Sequence, residues 1–224
     1  MNFFLLFFCS LFLLGAGKMS KTIPNMPSTA SSQPASLEKE LKNYQEKLQR
    51  RTDLTVAFIQ TTYKDLRKNT LQSRGMASFH RPNQFRWSTQ KPIALEEEWI
   101  FTGSELFSHK KQTFTRYKIS GSIGREIQQV VDMVINFDQL IKKYTLKRIT
   151  KENHLVTIIL IPHAISDLQA ASLQLDVQKN FISQVRLDFV GNNHTTFDFS
   201  QPDERTLAPE IFLIPKGTVV KEAL

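Results

Sequence analysis

The sequence predicts a mainly β protein of the α+β class, built as a strongly curved antiparallel sheet or incomplete barrel beneath helices. Many short segments alternate apolar and polar residues with the period of two that is typical of strands, and Asn, Pro and Gly residues separate them. Only two segments show the helical spacing of apolar residues. Each helix has one apolar stripe to bury, so we expect both helices to cover an apolar concave face. A loosely filled interior forms a ligand cavity, and a tightly filled one is an ordinary core.

The first 17 residues form a predicted signal peptide. Residues 3–14 are an almost unbroken apolar run that is too short to span a bilayer, and the small residues Gly-Ala-Gly follow it. No Lys or Arg precedes the run, so an uncleaved membrane anchor is the competing interpretation. Residues 18–35 are rich in Ser, Thr and Pro and are predicted to form a flexible tether before one domain over residues 36–224.

The single cysteine bears on the compartment and on the chemistry. Cys9 lies inside the apolar run and follows Phe7 and Phe8, whereas a lipoprotein signal needs small residues before its cysteine. Cleavage near Gly17 therefore predicts an exported chain without a disulfide or a cysteine nucleophile. No later stretch is long and apolar enough to be a predicted membrane span, so we expect the processed protein to be soluble.

The chain carries 29 Lys and Arg against 21 Asp and Glu, a formal net charge of +8. These basic residues are scattered rather than clustered, and an exported protein rarely meets nucleic acid, so we predict no nucleic-acid partner. An anionic membrane surface or an acidic protein is a better partner for this charge, and a simply solvated surface is the simplest explanation. We expect a monomer.

The predicted domain opens with a helix and closes with strands. Ser36 is a good N-cap, and the apolar residues that follow it recur at helical spacing as far as Leu48. A second helix is predicted from Arg125 to Ile141, because its Ile and Val residues share one face. The predicted strands are Leu54–Lys64, Met76–Phe79, Phe85–Ser88, Trp99–Thr102, Leu106–His109, Phe114–Ile119, Tyr144–Ile149, Leu155–Ile161, Leu173–Val177, Phe181–Val190, Thr195–Phe199 and Thr218–Val220.

The sequence contains no recognisable catalytic or cofactor motif. It lacks the G-x-S-x-G, H-E-x-x-H and G-x-x-x-x-G-K patterns, and its five histidines are widely separated. Residues 96–98 are three consecutive glutamates, but successive strand residues point to opposite faces and do not pair as glycosidase acids do. We predict a protein that is not an enzyme and that uses no cofactor or metal, although missing motifs alone do not exclude a catalytic triad assembled from distant positions.

The most informative segment is residues 53–92. It reads D-L-T-V-A-F-I-Q-T-T-Y and then G-M-A-S-F-H-R-P-N-Q-F-R-W-S-T-Q-K-P. This segment resembles the outer-membrane lipoprotein carrier (LolA) family, in which a strand with F-x-Q precedes a small-residue strand and then R-P-N-x-F-x-W. The residues in step with that pattern are Phe58, Gln60, Gly75, Arg81, Pro82, Asn83, Phe85, Trp87 and Pro92. Beyond Pro92 the likeness is in layout, with Phe107 and His109 where the family has Trp and Tyr.

The resemblance implies a half-open barrel with a helical lid, which holds the acyl chains of lipoproteins in an apolar cavity without covalent chemistry. It implies that the protein works in the periplasm and has three partners. These are acylated lipoproteins as cargo, an inner-membrane lipoprotein-releasing ABC transporter that loads the carrier, and an outer-membrane acceptor. In the family the arginine of R-P-N holds the lid closed by hydrogen bonds to lid backbone, and this role falls on Arg81. The residues predicted to line the cavity are Phe58, Phe79, Phe85, Trp87, Trp99, Phe101, Phe107 and Val134.

Plainer alternatives exist for each of these predictions. The aromatic residues also suit a filled core, and Arg81 also suits an exposed turn in which it packs on Trp87. An envelope sensor of lipids or lipoproteins with the same fold is the nearest alternative function, and an exported hydrolase is the second. Lipid in the purified protein, or activity in an esterase and phosphatase screen, distinguishes these functions.

Overall fold

The structure is a computed structural model that describes residues 34–136, 140–164 and 166–223. The predicted signal peptide, residues 1–17, lies outside the described residues, as does the predicted tether up to residue 33. None of the helices in the described part of the chain is long and apolar enough to cross a membrane.

The described part of the chain forms one curved, unclosed sheet of twelve strands. Its order is β12-β6-β5-β4-β3-β2-β1-β11-β10-β9-β8-β7, so β12 and β7 are the edges. Neighbouring strands are antiparallel, except that β12 runs parallel to β6. The strands are β1 Asp53–Lys64, β2 Asn69–His80, β3 Gln84–Lys91, β4 Glu97–Phe101, β5 Leu106–Lys110, β6 Thr113–Tyr117, β7 Tyr144–Glu152, β8 Leu155–Pro162, β9 Leu168–Asp176, β10 Phe181–Phe189, β11 His194–Asp203 and β12 Val220–Glu222.

Several strands are longer than their apolar patterns predict, and two of them begin several residues earlier. Strand β2 begins at Asn69 rather than at Met76, and β9 begins at Leu168 rather than at Leu173. The added part of β2 is mostly polar but pairs with β1 throughout, from Phe58 opposite Gly75 to Lys64 opposite Asn69. Backbone pairing in a hairpin extends a strand beyond the residues that bury a side chain, so apolar alternation understates its length.

The helices are α1 Pro34–Gln49, α2 Ser122–Val134 and α3 Leu140–Lys143. Helix α1 begins two residues before the predicted cap, because proline fits the first turn of a helix. The prediction of one helix from Arg125 to Ile141 is wrong, since α2 ends at Val134 and α3 is separate. The backbone leaves the helical conformation at Ile135, whose φ is −120°, and Asn136 makes the last helical bond, from its backbone N–H to the Asp132 carbonyl oxygen at 3.1 Å.

The inner face of the sheet, against which α1 and α2 pack, carries the main hydrophobic core. Trp87 in β3 and Phe197 in β11 have ring centroids 5.5 Å apart, although β2 and β1 lie between their strands. Three strand spacings separate two such strands by about 14 Å in a flat sheet. The sheet therefore curls strongly enough for rings from distant strands to meet, which confirms the curved sheet that the sequence predicts.

The outer face carries a second, smaller core made by the C-terminal segment. Ile100, Phe107 and Phe114 are buried there, and Ile214 and Val220 pack against them. Phe107 was predicted to line the cavity, and this prediction is wrong. Leu106, its neighbour in β5, belongs to the inner core, and successive strand residues face opposite ways, so Phe107 faces outward.

The segment on the outer face is also held by polar contacts. The Arg86 guanidinium donates to both carboxylate oxygens of Glu98, at 2.6 and 2.7 Å, and to the carbonyl oxygen of Ile211 at 3.0 Å. Phe212, the next residue, is completely buried and lies 6.0 Å from the His80 ring. One arginine thus joins β3, β4 and the C-terminal segment.

Candidate functional site

An apolar cavity lies between the inner face of the sheet and α2. Its volume is about 20 Å³. The wall on the sheet side comes from β1, β3, β4 and β11, and the wall on the helix side comes from one face of α2. The lining residues are Gln60, Phe85, Trp87, Trp99, Ile127, Val130, Val131 and Phe197.

Trp87 is the centre of the aromatic wall. Its ring lies 4.2 Å from the Phe58 ring, 5.5 Å from Phe197, 6.1 Å from Phe199 and 6.5 Å from Phe79, measured between centroids. Edge-to-face and tilted arrangements such as these are the favourable geometries for aromatic pairs. The wall is therefore a connected set of rigid rings supplied by four strands.

Gly75 gives the wall room at its centre. It lies opposite Phe58 in the register, at a point where the pairing of β2 with β3 shifts by one residue. A Cβ at Gly75 would lie 1.8 Å from the Ser88 carbonyl oxygen and 3.0 Å from the Phe58 ring. The glycine of the sequence pattern thus allows both the irregular strand pairing and the position of the Phe58 ring, which in turn contacts Trp87.

Helix α2 covers the cavity with an apolar stripe. Ile127, Val130, Val131 and Val134 are all buried, and their i, i+3, i+4, i+7 spacing places them on one face. At the end of the helix, the buried Asp132 accepts hydrogen bonds from Lys143 in α3 and from Asn136. Burial and the Asp132 carboxylate together raise the pKa of Tyr144 to about 12, burial having the larger effect.

A band of polar residues crosses the otherwise apolar inner face. Gln60 lies opposite Ser73 in β2 and opposite Phe197 in β11, and the Thr62 and Thr195 hydroxyls share a hydrogen bond of 3.1 Å. All members of this polar band are at most 5 % exposed. The members are Gln60, Thr62, Ser73, Thr89, Glu97 and Thr195.

Glu97 is the buried acid of the polar band. Burial raises its pKa from the ordinary value of 4.5 to about 7, against the opposing effects of Lys110 and of a hydrogen bond with the Trp99 side chain. The Lys110 Nζ lies 3.8 Å from the Glu97 Oε2. The acid lies opposite Thr89 in the register and adjoins the cavity through Trp99.

A second cavity, also about 20 Å³, lies where α1 ends. Phe79 and Val134 line it together with Leu48, the start of β1 and Arg81. The Arg81 Nη2 donates a hydrogen bond of 3.1 Å to the Leu48 carbonyl oxygen, and the Asn180 side chain donates one of 3.2 Å to the Lys47 carbonyl oxygen. The last carbonyls of a helix lack partners within it, so donors from two separate turns stabilise the end of α1.

The remaining part of the R-P-N motif ties two hairpins together. The Asn83 side chain donates to the Gly103 carbonyl oxygen at 3.1 Å, and the Gln84 side chain donates to the Thr102 carbonyl oxygen at 2.9 Å. Gly103 has a φ of +100°, a conformation that favours glycine. These bonds position the β2–β3 turn beside the β4–β5 turn, and so fix where Arg81 projects.

The structure brings most of the predicted cavity residues into the inner core, but only three of them to the main cavity. Phe85, Trp87 and Trp99 line it directly. Phe58 and Phe101 pack behind this wall, the latter 5.8 Å from the Phe85 ring. Sequence reasoning missed part of the lining, although Gln60 stood in the recognised pattern and the helical residues stood in the predicted apolar stripe. The missed residues are Gln60, Ile127, Val130, Val131 and Phe197.

Among residues 34–136, 140–164 and 166–223, no group of three His, Cys, Asp or Glu side chains is placed to hold a metal ion. The apolar lining of the main cavity instead suits hydrocarbon, which needs no polar partner.

Solved structures with this fold are found at low sequence identity. An uncharacterised conserved protein from Thermus thermophilus has a TM-score of 0.52 at 11 % identity, covering 84 % of this chain and 99 % of that one. A DUF1329 family protein from Desulfovibrio piger has a TM-score of 0.51 at 10 % identity, covering 81 % and 98 %. A LolA superfamily protein from Nitrosomonas europaea has a TM-score of 0.44 at 14 % identity, covering 78 % and 97 %. The first two similarities show a shared fold and nothing further.

Sequence comparison places the chain in a family. No curated protein sequence matches it. The model of the family described as outer membrane lipoprotein carrier protein LolA matches residues 50–215, which is well over half of the chain. The match begins just before β1 and ends after the buried Phe212, so it contains the whole curved sheet except β12, together with α2 and the cavity wall. The protein therefore belongs to the outer membrane lipoprotein carrier protein (LolA) family.

Proposed function

We propose that this protein is a periplasmic carrier that shelters the acyl chains of lipoproteins on their way from the inner to the outer membrane. The observation that carries the proposal is the apolar cavity between the aromatic wall and the stripe of α2, in a chain of the LolA family. Moving an acyl chain through water costs about 0.8 kcal/mol per exposed methylene. A shelter alone removes that cost, so the protein needs no catalytic group.

The cavity in this structure is too small for an acyl chain. A volume of about 20 Å³ holds roughly one water molecule, far less than an acyl chain requires. Loading therefore needs α2 to move away from the aromatic wall, which exposes the side chains of Ile127, Val130 and Val131 unless lipid replaces the contact. In the loaded protein the acyl chain contacts the aromatic wall in place of the apolar stripe of α2. When the chain is released, the stripe packs against the wall again.

Arg81 is proposed to be the latch that holds α1, the other helix over the inner face, in the closed position beside α2. Its bond to the Leu48 carbonyl oxygen joins the β2–β3 turn to the end of α1, next to the cavity that Val134 of α2 also lines. A hydrogen bond from a charged donor contributes about 1.5–3 kcal/mol, enough to bias a lid between two states without locking it.

The proposed pathway has a donor and an acceptor. Export with cleavage near Lys18 delivers a monomeric carrier to the periplasm, where an inner-membrane lipoprotein-releasing ABC transporter loads it with acylated lipoproteins. An outer-membrane acceptor then receives the cargo. No nucleic acid, cofactor or metal takes part in this proposal.

Substituting a charged residue into the aromatic wall tests the proposal. Phe85→Glu places an unpaired carboxylate where burial is costly, so we expect lipid loading to fail while the strand signal in circular dichroism persists. The measurement is mass spectrometry of lipid extracted from protein purified from the periplasm. Leu66→Glu, which adds the same charge at a side chain that is 95 % exposed, is the matched control and should load normally. Normal lipid in the Phe85→Glu variant, or none in the wild type, would contradict the proposal.

A further inference from the structure

The main cavity contains a polar group that its packing does not explain. Gln60 is 2 % exposed and lines the cavity beside Phe197, Trp87 and Trp99. Among the residues that the structure describes, none accepts a hydrogen bond from its Nε2. A buried amide without a partner destabilises the folded state, and an apolar residue of the same size in this place does not.

A second unpaired group lies next to it. Ser73 is directly opposite Gln60 in the pairing of β1 with β2, and both side chains face inward. The Ser73 Oγ is also buried and has no partner in the described part of the chain. Opposite residues in an antiparallel pair have Cβ atoms about 4.5–5.5 Å apart, so one acceptor atom between them can receive a hydrogen bond from both.

The surroundings restrict what that acceptor is. The other residues that line the cavity are Phe, Trp, Ile and Val, and none is a cation, so an anionic headgroup would be buried without a counter-charge. A water molecule would find only Gln60 and Ser73 as partners, the minimum of the two to four that a buried water needs, and would otherwise lie against apolar side chains. A neutral carbonyl attached to a hydrocarbon chain satisfies Gln60 and fits the apolar wall at once.

We propose that Gln60, together with Ser73, binds an acyl carbonyl of the cargo, so that the cavity selects ester- or amide-linked chains over bare hydrocarbon. This inference rests on the proposed carrier function, because it names the ligand group that enters the same cavity. The unpaired amide destabilises the empty protein, and the carbonyl restores the missing bond when the chain is loaded. Part of the lipid affinity is therefore hydrogen bonding, and part is hydrophobic burial.

The test compares two lipids that differ only in their carbonyls. Dioctanoylglycerol has two ester carbonyls, and the dialkyl ether of the same chain length has none. Both tryptophans of the chain line the cavity, so their fluorescence reports binding of either lipid directly. We expect the wild type to bind the ester about tenfold more tightly than the ether, a difference of about 1.4 kcal/mol.

Gln60→Met removes the amide and keeps the length of the side chain. We expect this variant to bind both lipids with the ether affinity of the wild type or better, and to melt at a higher temperature than the wild type when empty. Ser73→Ala should lower the preference for the ester in the same direction. Gln72→Met, at an exposed position on the neighbouring strand, is the matched control and should keep the tenfold preference.

The outcomes separate this inference from the proposed function. Equal binding of ester and ether by the wild type, or an unchanged preference in Gln60→Met, would overturn the carbonyl site and leave the carrier function standing. Binding of neither lipid by the wild type would overturn both. A loss of ester preference in Gln60→Met with ether binding intact supports both, and a misfolded variant is recognised by its lost ether binding and replaced by Gln60→Leu.

Discussion

Individual residues of the inner face have different structural roles. Gly75 leaves room for the Phe58 ring and for the shifted pairing of β2 with β3, and Phe58 in turn supports Trp87. Gln60 and Glu97 are polar groups within the same face, and both are less than 5 % exposed. The wall is thus not a uniform hydrocarbon surface but a set of rings interrupted by a narrow polar band.

Glu97 makes the stability of the fold depend on pH. Its folded-state pKa of about 7 lies above the ordinary value of 4.5, so between these values the folded state keeps a proton that the unfolded state has lost. This contribution to stability is fully present below pH 4.5 and is lost as the pH rises to about 7. We expect the change in the free energy of unfolding to be on the order of 3 kcal/mol, with burial as its main cause.

The measurement is denaturant unfolding across that pH range for the wild type and for Glu97→Gln. The glutamine carries no titrating proton, so this variant should lose the component of the slope that Glu97 contributes. Glu96→Gln alters the exposed neighbour and should keep the slope of the wild type. If the free energy of unfolding changed with pH in the same way in the wild type and in Glu97→Gln, folding would not raise the pKa of Glu97.

At the scale of elements, the predictable features are those that depend on side-chain period. The alternation in β3 and β4 correctly placed Phe85, Trp87 and Trp99 on one face, because every second residue of a strand points the same way. Phe107 was assigned to that face by its family position, but one step of alternation from Leu106 turns it outward. The end of α2 was missed because the apolar residues continue into α3, although the backbone leaves the helical conformation at Ile135.

Contacts between elements were less predictable than the elements themselves. Trp87 and Phe197 are far apart in sequence and meet only because the sheet curls, and no local pattern encodes that distance. The bond from Arg81 to the end of α1 was expected only in outline, through the likeness to a family. The matching bond from Asn180 was not expected, since it depends on where the β9–β10 turn reaches in space.

The lid prediction belongs to this scale, because it concerns how α1 is held. We expect Arg81→Leu to keep the fold but lose the bond to the Leu48 carbonyl oxygen. The loss of this bond should favour the open state by about 1.5–3 kcal/mol. The variant should load lipid as well as the wild type and transfer it poorly, since closing of the lid no longer helps to expel the chain.

Loading and onward transfer are measured in parallel with purified donor, carrier and acceptor. Arg74→Leu, which removes an exposed arginine from the same strand β2, is the control for lost charge and should transfer normally. Equal transfer by Arg81→Leu and the wild type would make Arg81 a turn residue that merely stabilises the end of α1.

At the scale of the whole molecule, one sheet separates two apolar regions with different roles. The inner face carries the aromatic wall, the cavity and the helices, whereas the outer face is sealed by the C-terminal segment. A carrier must let its inner face open and close without unfolding. The outer core contributes to this because its contacts hold β3, β4, β5 and β6 in place and do not involve α1 or α2.

Phe212→Ala tests whether the two regions are independent. The Phe212 ring is completely buried beneath the outer face, so its removal should lower the free energy of unfolding by about 3–5 kcal/mol. The amount of lipid bound per folded molecule should stay at the wild-type level, because none of the residues lining the main cavity belongs to the outer core. Leu213→Ala, at a side chain that is 51 % exposed, is the control and should change the stability by only about 0.5 kcal/mol.

Chemical denaturation gives the stability, and mass spectrometry of the folded fraction gives the lipid content. A drop in lipid content that parallels the loss of stability would mean that packing on the outer face sets the curvature of the sheet, and with it the shape of the cavity.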